Sequence, residues 1–377
     1  MNGRPIREVY CDLAGANVYS PYSYHITPGE QRMAELRIGG DPTEQDHLEG
    51  GQNCGYCDAS HPTLKHPAEN IVDGYSSYWQ SPPLSRSMDY NKVNITIDLG
   101  QVFHVAYIVI HMANSPRPGI WVLDRSQDNG KTWTPWQYFA ETPSQCVRLF
   151  GEKTIMGIQN AGDVICSTEF SGIVPLENGE IFTQLLQDRP GRLNFSHSPE
   201  LQNFTLATNI RIRLLRTKTL QGHLMDLQSR RNDPTITRRY FYSIKEIIVG
   251  GRCVCHGHAK TCDILEPTRP NTLLCRCQHG TCGDQCERCC DGKQQKKWQP
   301  SRDGQIFNCE PCNCFGHSET CEYDEELAQN KLSLDIHGNY EGGGRCLECR
   351  DNTEGINCNK CKKFYYRPEG RLLAIRN

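Results

Sequence analysis

The chain has 377 residues, 37% hydrophobic and 23% charged, with a formal net charge of −3. That near-neutral balance argues against nucleic acid as a main partner, because phosphate binding needs a clustered basic surface. No apolar run is long enough to span a bilayer, and the 22 cysteines indicate an oxidising, secretory setting.

The N-terminus conflicts with that setting, because Met1-Asn2-Gly3-Arg4-Pro5 lacks the apolar core of a signal peptide. Cysteine parity offers a resolution. Cys11, Cys54, Cys57, Cys146 and Cys166 precede residue 253, an odd set, and the remaining cysteines are odd in number too. The sequence therefore reads as a fragment of a longer secreted chain, with partner cysteines expected upstream of Cys11 and downstream of Cys361. Residues 12–52 have no sustained period and read as a long surface loop. Cys54-Gly55-Tyr56-Cys57 lacks the strand–helix setting of a redox motif, so structural disulfides are expected there. Cys146 and Cys166 are expected to be disulfide-bonded as well.

Ile71-Val72-Asp73-Gly74-Tyr75-Ser76-Ser77-Tyr78-Trp79 is an acidic loop closing on an aromatic residue. It offers the carboxylate and backbone oxygens that Ca²⁺ takes; an ordinary Asp-Gly turn is the competing reading. From Asn91 to Gly251 the pattern is all-β. Val93, Ile95, Ile97 and Leu99 alternate with Asn94, Thr96 and Asp98, which is period two. Val102–Ile110 reads as a separate buried strand. Further strands are predicted at 120–123, 136–140, 181–186, 210–215 and 240–249, punctuated by turns such as Asp128-Asn129-Gly130. Many strands with Gly/Pro turns and no long amphipathic helix indicate a mainly β, two-sheet sandwich of jelly-roll type.

Ser126 to Trp133 matches the S-x-D-x-G-x-T-W box that sialidases repeat around a propeller. Here it occurs once, so a structural hairpin is expected. No G-x-S-x-G, H-E-x-x-H or phosphate loop is present, and the chain is not expected to be an enzyme. Asn94-Ile95-Thr96, Asn194-Phe195-Ser196 and Asn203-Phe204-Thr205 are glycosylation sequons. Asn94 lies on the polar face of its strand.

Gly250-Gly251-Arg252 leads straight into a ladder from Cys253 to Cys361 that holds 17 of the 22 cysteines. Cys253-Val254-Cys255-His256-Gly257-His258 and Cys312-Asn313-Cys314-Phe315-Gly316-His317 open two repeats of one small unit. Polar residues and turn formers fill the gaps, so covalent staples must replace burial, each contributing about 2–4 kcal/mol. Zinc is the competing reading. The adjacent pair Cys289-Cys290 fits a tetrahedral site poorly, and the nearby histidines sit mostly beside glycines as turn residues.

The ladder resembles tandem laminin-type EGF-like modules. That resemblance implies the pairs Cys253–Cys262, Cys255–Cys275, Cys277–Cys286 and Cys289–Cys309 at 253–310, leaving Cys282 and Cys290 to pair with each other. In a second module at 312–377, truncated, it implies Cys312–Cys321, Cys314–Cys346 and Cys349–Cys358, with Cys361 awaiting a partner. The second module departs by one residue, two residues separating Cys346 from Cys349 where Arg276 alone separates Cys275 from Cys277. Residues 1–251 resemble the laminin N-terminal domain through Trp79-Gln80-Ser81, Asp98-Leu99, Asn114-Ser115-Pro116-Arg117-Pro118, Trp136-Gln137-Tyr138, Pro175-Leu176-Glu177-Asn178-Gly179-Glu180 and the string from Asp233 to Ser243. Residues 12–52 match poorly, and the leading strand and cysteine of the family domain are expected to be missing. The Thr237–Ser243 string and the extra Cys282/Cys290 resemble laminin α chains rather than β or γ chains or netrins.

The resemblance implies a secreted, basement-membrane protein. Its tip would join laminin β and γ chains in Ca²⁺-dependent self-assembly of the matrix network, supporting cell adhesion and tissue morphogenesis. On that footing Pro175, Leu176, Glu177, Asn178, Gly179 and Glu180 are the expected contact, a loop with an apolar anchor, two carboxylates and no core role, and Ser115–Pro118 is its neighbour. Asp73, with Glu246 second, is the expected Ca²⁺ ligand. Integrins and heparan sulfate are further partners the family suggests. A netrin-like guidance ligand, and a carbohydrate-active enzyme or lectin, are the alternatives.

Overall fold

The computed structural model describes residues 8–13, 54–219, 237–270 and 272–368. From residue 14 onward the stretch read as a long loop lies outside them, as do Asp233–Ile236. The chain forms two compact units: residues 1–99, 103–192 and 203–252 in the first, and 100–102, 193–202 and 253–377 in the second. Among the described residues no helix is long and apolar enough to cross a membrane.

The first unit is mainly β. A short hairpin of β1 (Glu8–Cys11) and β2 (Cys54–Cys57) is closed by the Cys11–Cys54 disulfide. The main sheet has eight strands: β3 (Trp79–Gln80), β4 (Val93–Met112), β5 (Ile120–Ser126), β6 (Thr134–Phe139), β7 (Cys166–Ser167), β8 (Glu180–Gln184), β9 (Leu206–Arg216) and β10 (Ser243–Cys253). Their order is β3-β10-β4-β9-β5-β6-β7, with β8 also on β4.

β4 corrects the expectation of two separate strands. It runs unbroken for 20 residues. The boundary expected near Gly100 is a bulge instead. Pairing with β9 steps from Asp98↔Asn209 to Phe103↔Ala207, and Gly100 absorbs the extra residues with a φ of 75°. Past the bulge β4 pairs with β8, from Tyr107↔Gln184 to His111↔Glu180. This half is not uniformly buried: Val105, Ile108, Ile110 and Met112 point inward while Tyr107 is exposed. At the end of β10, a Cβ on Gly251 would collide with the His104 carbonyl, so only glycine lets the strands pass there.

β5 is buried at all seven positions. Trp121 stacks flat on Phe139 with ring centroids 3.6 Å apart. Trp136, fully buried, donates from Nε1 to the Phe204 carbonyl at 2.6 Å. Each such side chain contributes about 1.5–3 kcal/mol by leaving water. Asp124, 1% exposed, accepts from Arg211 Nη2 at 2.8 Å and Arg213 Nε at 2.5 Å, so its burial is charge-compensated. Helix α1 (Pro143–Phe150) starts where the Thr142 hydroxyl accepts the Gln145 amide, with Pro143 in the first turn. Its buried Cys146 is disulfide-bonded to Cys166 on β7.

The second unit is held by cystines. The bonds are Cys253–Cys262, Cys255–Cys275, Cys277–Cys286, Cys282–Cys290 and Cys289–Cys309, then Cys312–Cys321, Cys314–Cys346 and Cys349–Cys358. These are the pairs the resemblance implies. Cystine sulfur serves as core: Cys314, Cys321, Cys346 and Cys358 form one buried cluster. The modules repeat a backbone pattern. The Arg276 amide donates to the Thr261 carbonyl, and the Leu347 amide to that of Thr320. The extra residue between Cys346 and Cys349 is taken up at Glu348, with φ 50°. The longer span before Cys346 folds into the helix Glu325–Gln329, capped by Asp324.

Candidate functional site

Several of the strings that stand out in the sequence meet at the start of β10. β10 is the hub. Ser243 pairs with Gln80 and Ile244 with Trp79. Just before it, the Ser81 amide donates to the Tyr242 carbonyl at 2.8 Å, and the Leu84 amide to that of Tyr240 at 2.9 Å. Buried Ser115 accepts the Ser243 amide at 2.9 Å, and the Ala113 amide donates to the Ser243 carbonyl at 3.0 Å. The Tyr242 hydroxyl donates to the Asn91 carbonyl at 2.8 Å.

Loop 175–180 is tied to this hub. The Asn178 amide donates to the Ala113 carbonyl at 2.7 Å, and the Met112 amide to the Gly179 carbonyl at 2.8 Å. Asn178 takes the left-handed conformation, φ 53°, which asparagine tolerates better than most residues. The structure corrects one expectation here. Leu176 is not an outward anchor; it packs on a buried cluster of Leu13, Leu84 and Tyr240, beside Ile173 and Tyr90. With Leu176 turned in and Gly179 buried, Pro175, Glu177, Asn178 and Glu180 are the exposed residues. Ser115–Pro118 is the expected neighbour: Arg117 donates from Nη2 to the Val174 carbonyl and from Nη1 to that of Glu180 at 3.4 Å. Nothing in the residue pattern marks Arg117 as the bridge between Val174 and Glu180.

Asp73 and Glu246, the expected Ca²⁺ ligands, sit on different elements, a loop and β10. One Asp73 carboxylate oxygen accepts the Tyr75 amide at 2.8 Å and the other the Ser77 hydroxyl at 2.5 Å. Those bonds, the Ser77 hydroxyl first, hold its pKa below the usual carboxylate range. Gly74 has a φ of 72°, so the loop is an Asp-Gly turn using its own carboxylate. Glu246 is half-buried on β10. Among the described residues no three His, Cys, Asp or Glu side chains gather as a metal site; Ca²⁺ also takes backbone oxygens and water.

The lone S-x-D-x-G-x-T-W box is a hairpin between β5 and β6. Asp128 accepts the Thr132 amide at 2.8 Å and hydroxyl at 2.6 Å. With the Ser126 hydroxyl, these donors hold Asp128 down at about 2. Trp133 carries the Arg211 guanidinium over its ring, 4.4 Å from the centroid. The carboxylate is spent on the turn. Asn94, Asn194 and Asn203 are all exposed.

Among the described residues the free cysteines are Cys57 and Cys361. They are the odd cysteines of the two halves.

A β-sheet head and cystine-stapled small modules in one chain define a modular extracellular protein. The chain belongs to the laminin family. Residues 9–251 match the laminin N-terminal domain (domain VI), 253–304 the laminin EGF domain, and 335–369 the laminin/attractin EGF domain. The first match takes in residues 12–52, which by eye resembled the family least. The chain is 55% identical over 369 residues to laminin subunit alpha of Drosophila melanogaster, covering 97% of this chain and 9% of that protein. It is 48% identical to human laminin subunit alpha-3, over 98% of this chain and 10% of that protein. It is 33% identical to human laminin subunit gamma-3, over 85% and 20% respectively. The chain thus spans about a tenth of the alpha subunits it matches. Laminins are extracellular-matrix proteins of the basement membrane.

Proposed function

We propose that this chain is the short-arm tip of a secreted laminin α chain, and that its head joins laminin β and γ short arms in building the basement-membrane network. One observation carries the reading. Loop 175–180 is pinned by backbone bonds to β4 and by Leu176 to the core, yet it leaves Pro175, Glu177, Asn178 and Glu180 in solvent. A polar loop held this firmly loses little conformational entropy on binding. Contacts of this size are weak singly and become a network through multivalency, because each trimer brings several arms. Cell adhesion and tissue morphogenesis follow from that network. Integrins and heparan sulfate are secondary partners of the same reading.

Ca²⁺ dependence belongs to the same reading and follows from the family resemblance, with Asp73 the first candidate ligand and Glu246 the second. The test is sedimentation of this chain with β and γ short arms, with and without chelator, beside Glu177→Ala and Asp73→Asn variants. A ternary complex lost on Glu177→Ala supports the assembly role. Absence of any complex, with or without Ca²⁺, refutes it.

A further inference from the structure

We propose that Arg117 is a positioning residue for assembly: it holds loop 175–180 in its binding shape while contacting the partner little itself. The inference rests on the reading of that loop as the contact surface and names what sets its geometry. One guanidinium donates to the carbonyls of both Val174 and Glu180, which bracket the loop. The arginine stem fills the space under the loop: a Cβ on Gly179 would lie 3.2 Å from Arg117 Cγ and 3.3 Å from Pro175 Cγ. Gly179 is thus the residue type that lets the loop close over the arginine.

Arg117 is itself held. Pro116 and Pro118 are buried on either side and restrict the backbone. Ser115, two residues earlier, is bonded to Ser243. A planar fork can reach two carbonyls at once, whereas a lysine ammonium is a single point on a flexible stem. Without the fork, the Asn178–Ala113 and Met112–Gly179 bonds, Leu176 and the His111↔Glu180 pairing would still hold the middle and far end of the loop, but its entry at Val174 and Pro175 would be free to spread.

The experiment uses the whole chain with Arg117→Met, Arg117→Lys, Glu177→Ala and the Arg117→Met/Glu177→Ala double variant. Three quantities are read: association with β and γ short arms, amide exchange across 174–180, and thermal melting of the head. Arg117→Met is expected to speed exchange in the loop and weaken association about tenfold, with melting nearly unchanged. Arg117→Lys, which keeps charge and stem, should fold normally and recover only part of the loss. In the Glu177→Ala background, Arg117→Met should have no further effect, because a residue acting through the loop cannot act once the contact is gone. If Glu177→Ala weakens association and Arg117→Met does not, or if the two losses multiply, Arg117 is not the positioning residue. If neither variant changes association, the loop itself is not the contact, and the assembly reading at this site falls with it.

Discussion

Inside the first cystine-rich module, Nδ1 of His258 lies 3.2 Å from Nδ1 of His279. The second module puts a different pair in the same place: Nδ1 of His317 is 2.8 Å from Oδ2 of Asp351. Both His258 and His317 close a C-x-C-x-G-H opening, and both partners sit two residues after the module's fifth cysteine. Nε2 of His258 faces the Gln299 carbonyl at 3.0 Å, which can only accept, so the neutral ring carries its proton there and presents a bare Nδ1. Ser301, Trp298 and Phe307 also lie against it, and His256 packs on Trp298 in turn.

Burial pushes the His258 pKa down, with His279 adding to the effect. The folded state therefore binds fewer protons than the unfolded state between the lowered value and the ordinary histidine value of about 6.5. Stability rises with pH in that window and is lost as pH falls through it. We expect amide protection across Cys253–Cys309 to drop on acidification through that window. His279→Asp, which removes the lesser of the two causes, should lessen the drop. Protection indifferent to pH there by hydrogen exchange would count against this account.

Asp124 is the only carboxylate facing the Arg211 and Arg213 guanidiniums in the described contacts, and it is buried where they are partly exposed. Asp124→Ala leaves two cations against one another at the sheet and should lower head stability by about 3 kcal/mol. Arg211→Met leaves Arg213 in place and should cost less. Denaturant midpoints of the two variants give the comparison; equal losses would contradict it.

Cys282–Cys290 closes a short loop in the first module and has no counterpart in the second. Replacing both residues with serine should cost about 2–3 kcal/mol by relaxing the unfolded chain. The effect should stay local, visible as faster proteolysis between Cys277 and Cys309 with the head melting as before.

Asn94 is exposed on β4, opposite Arg213, and Asn203 is exposed beside Gln127. We expect glycans at both, and at exposed Asn194, in protein from a secretory host. Enzymatic release in heavy-isotope water would mark each occupied asparagine by mass. Because Asn94 lies at the far end of β4 from Met112, a glycan there should leave association through loop 175–180 unchanged.

The strands of the head were legible where period two was clean, as from Val93 to Leu99. The sequence misled at Gly100, because a bulge and a strand end look alike until the neighbouring strand is seen. Leu176 was misread for a related reason. Pro, Glu, Asn and Gly around it look solvated, and its cover comes from Leu13, Leu84 and Tyr240, distant residues with no shared period. Cysteine spacing alone did not decide connectivity; the family pattern supplied it. At Asp73 the composition suggests a carboxylate open to an ion, and the bonds it accepts from Ser77 and Tyr75 could not be read from it.

The Cys11–Cys54 bridge has a practical corollary. The backbone departs after the first of these cysteines and comes back at the second, their α-carbons 3.9 Å apart. The bridge thereby fastens the residues just past it: Asp12 accepts from Asn114 and Arg239, and Leu13 packs on Leu84 and Tyr240. Cutting it should loosen the floor on which Leu176 rests.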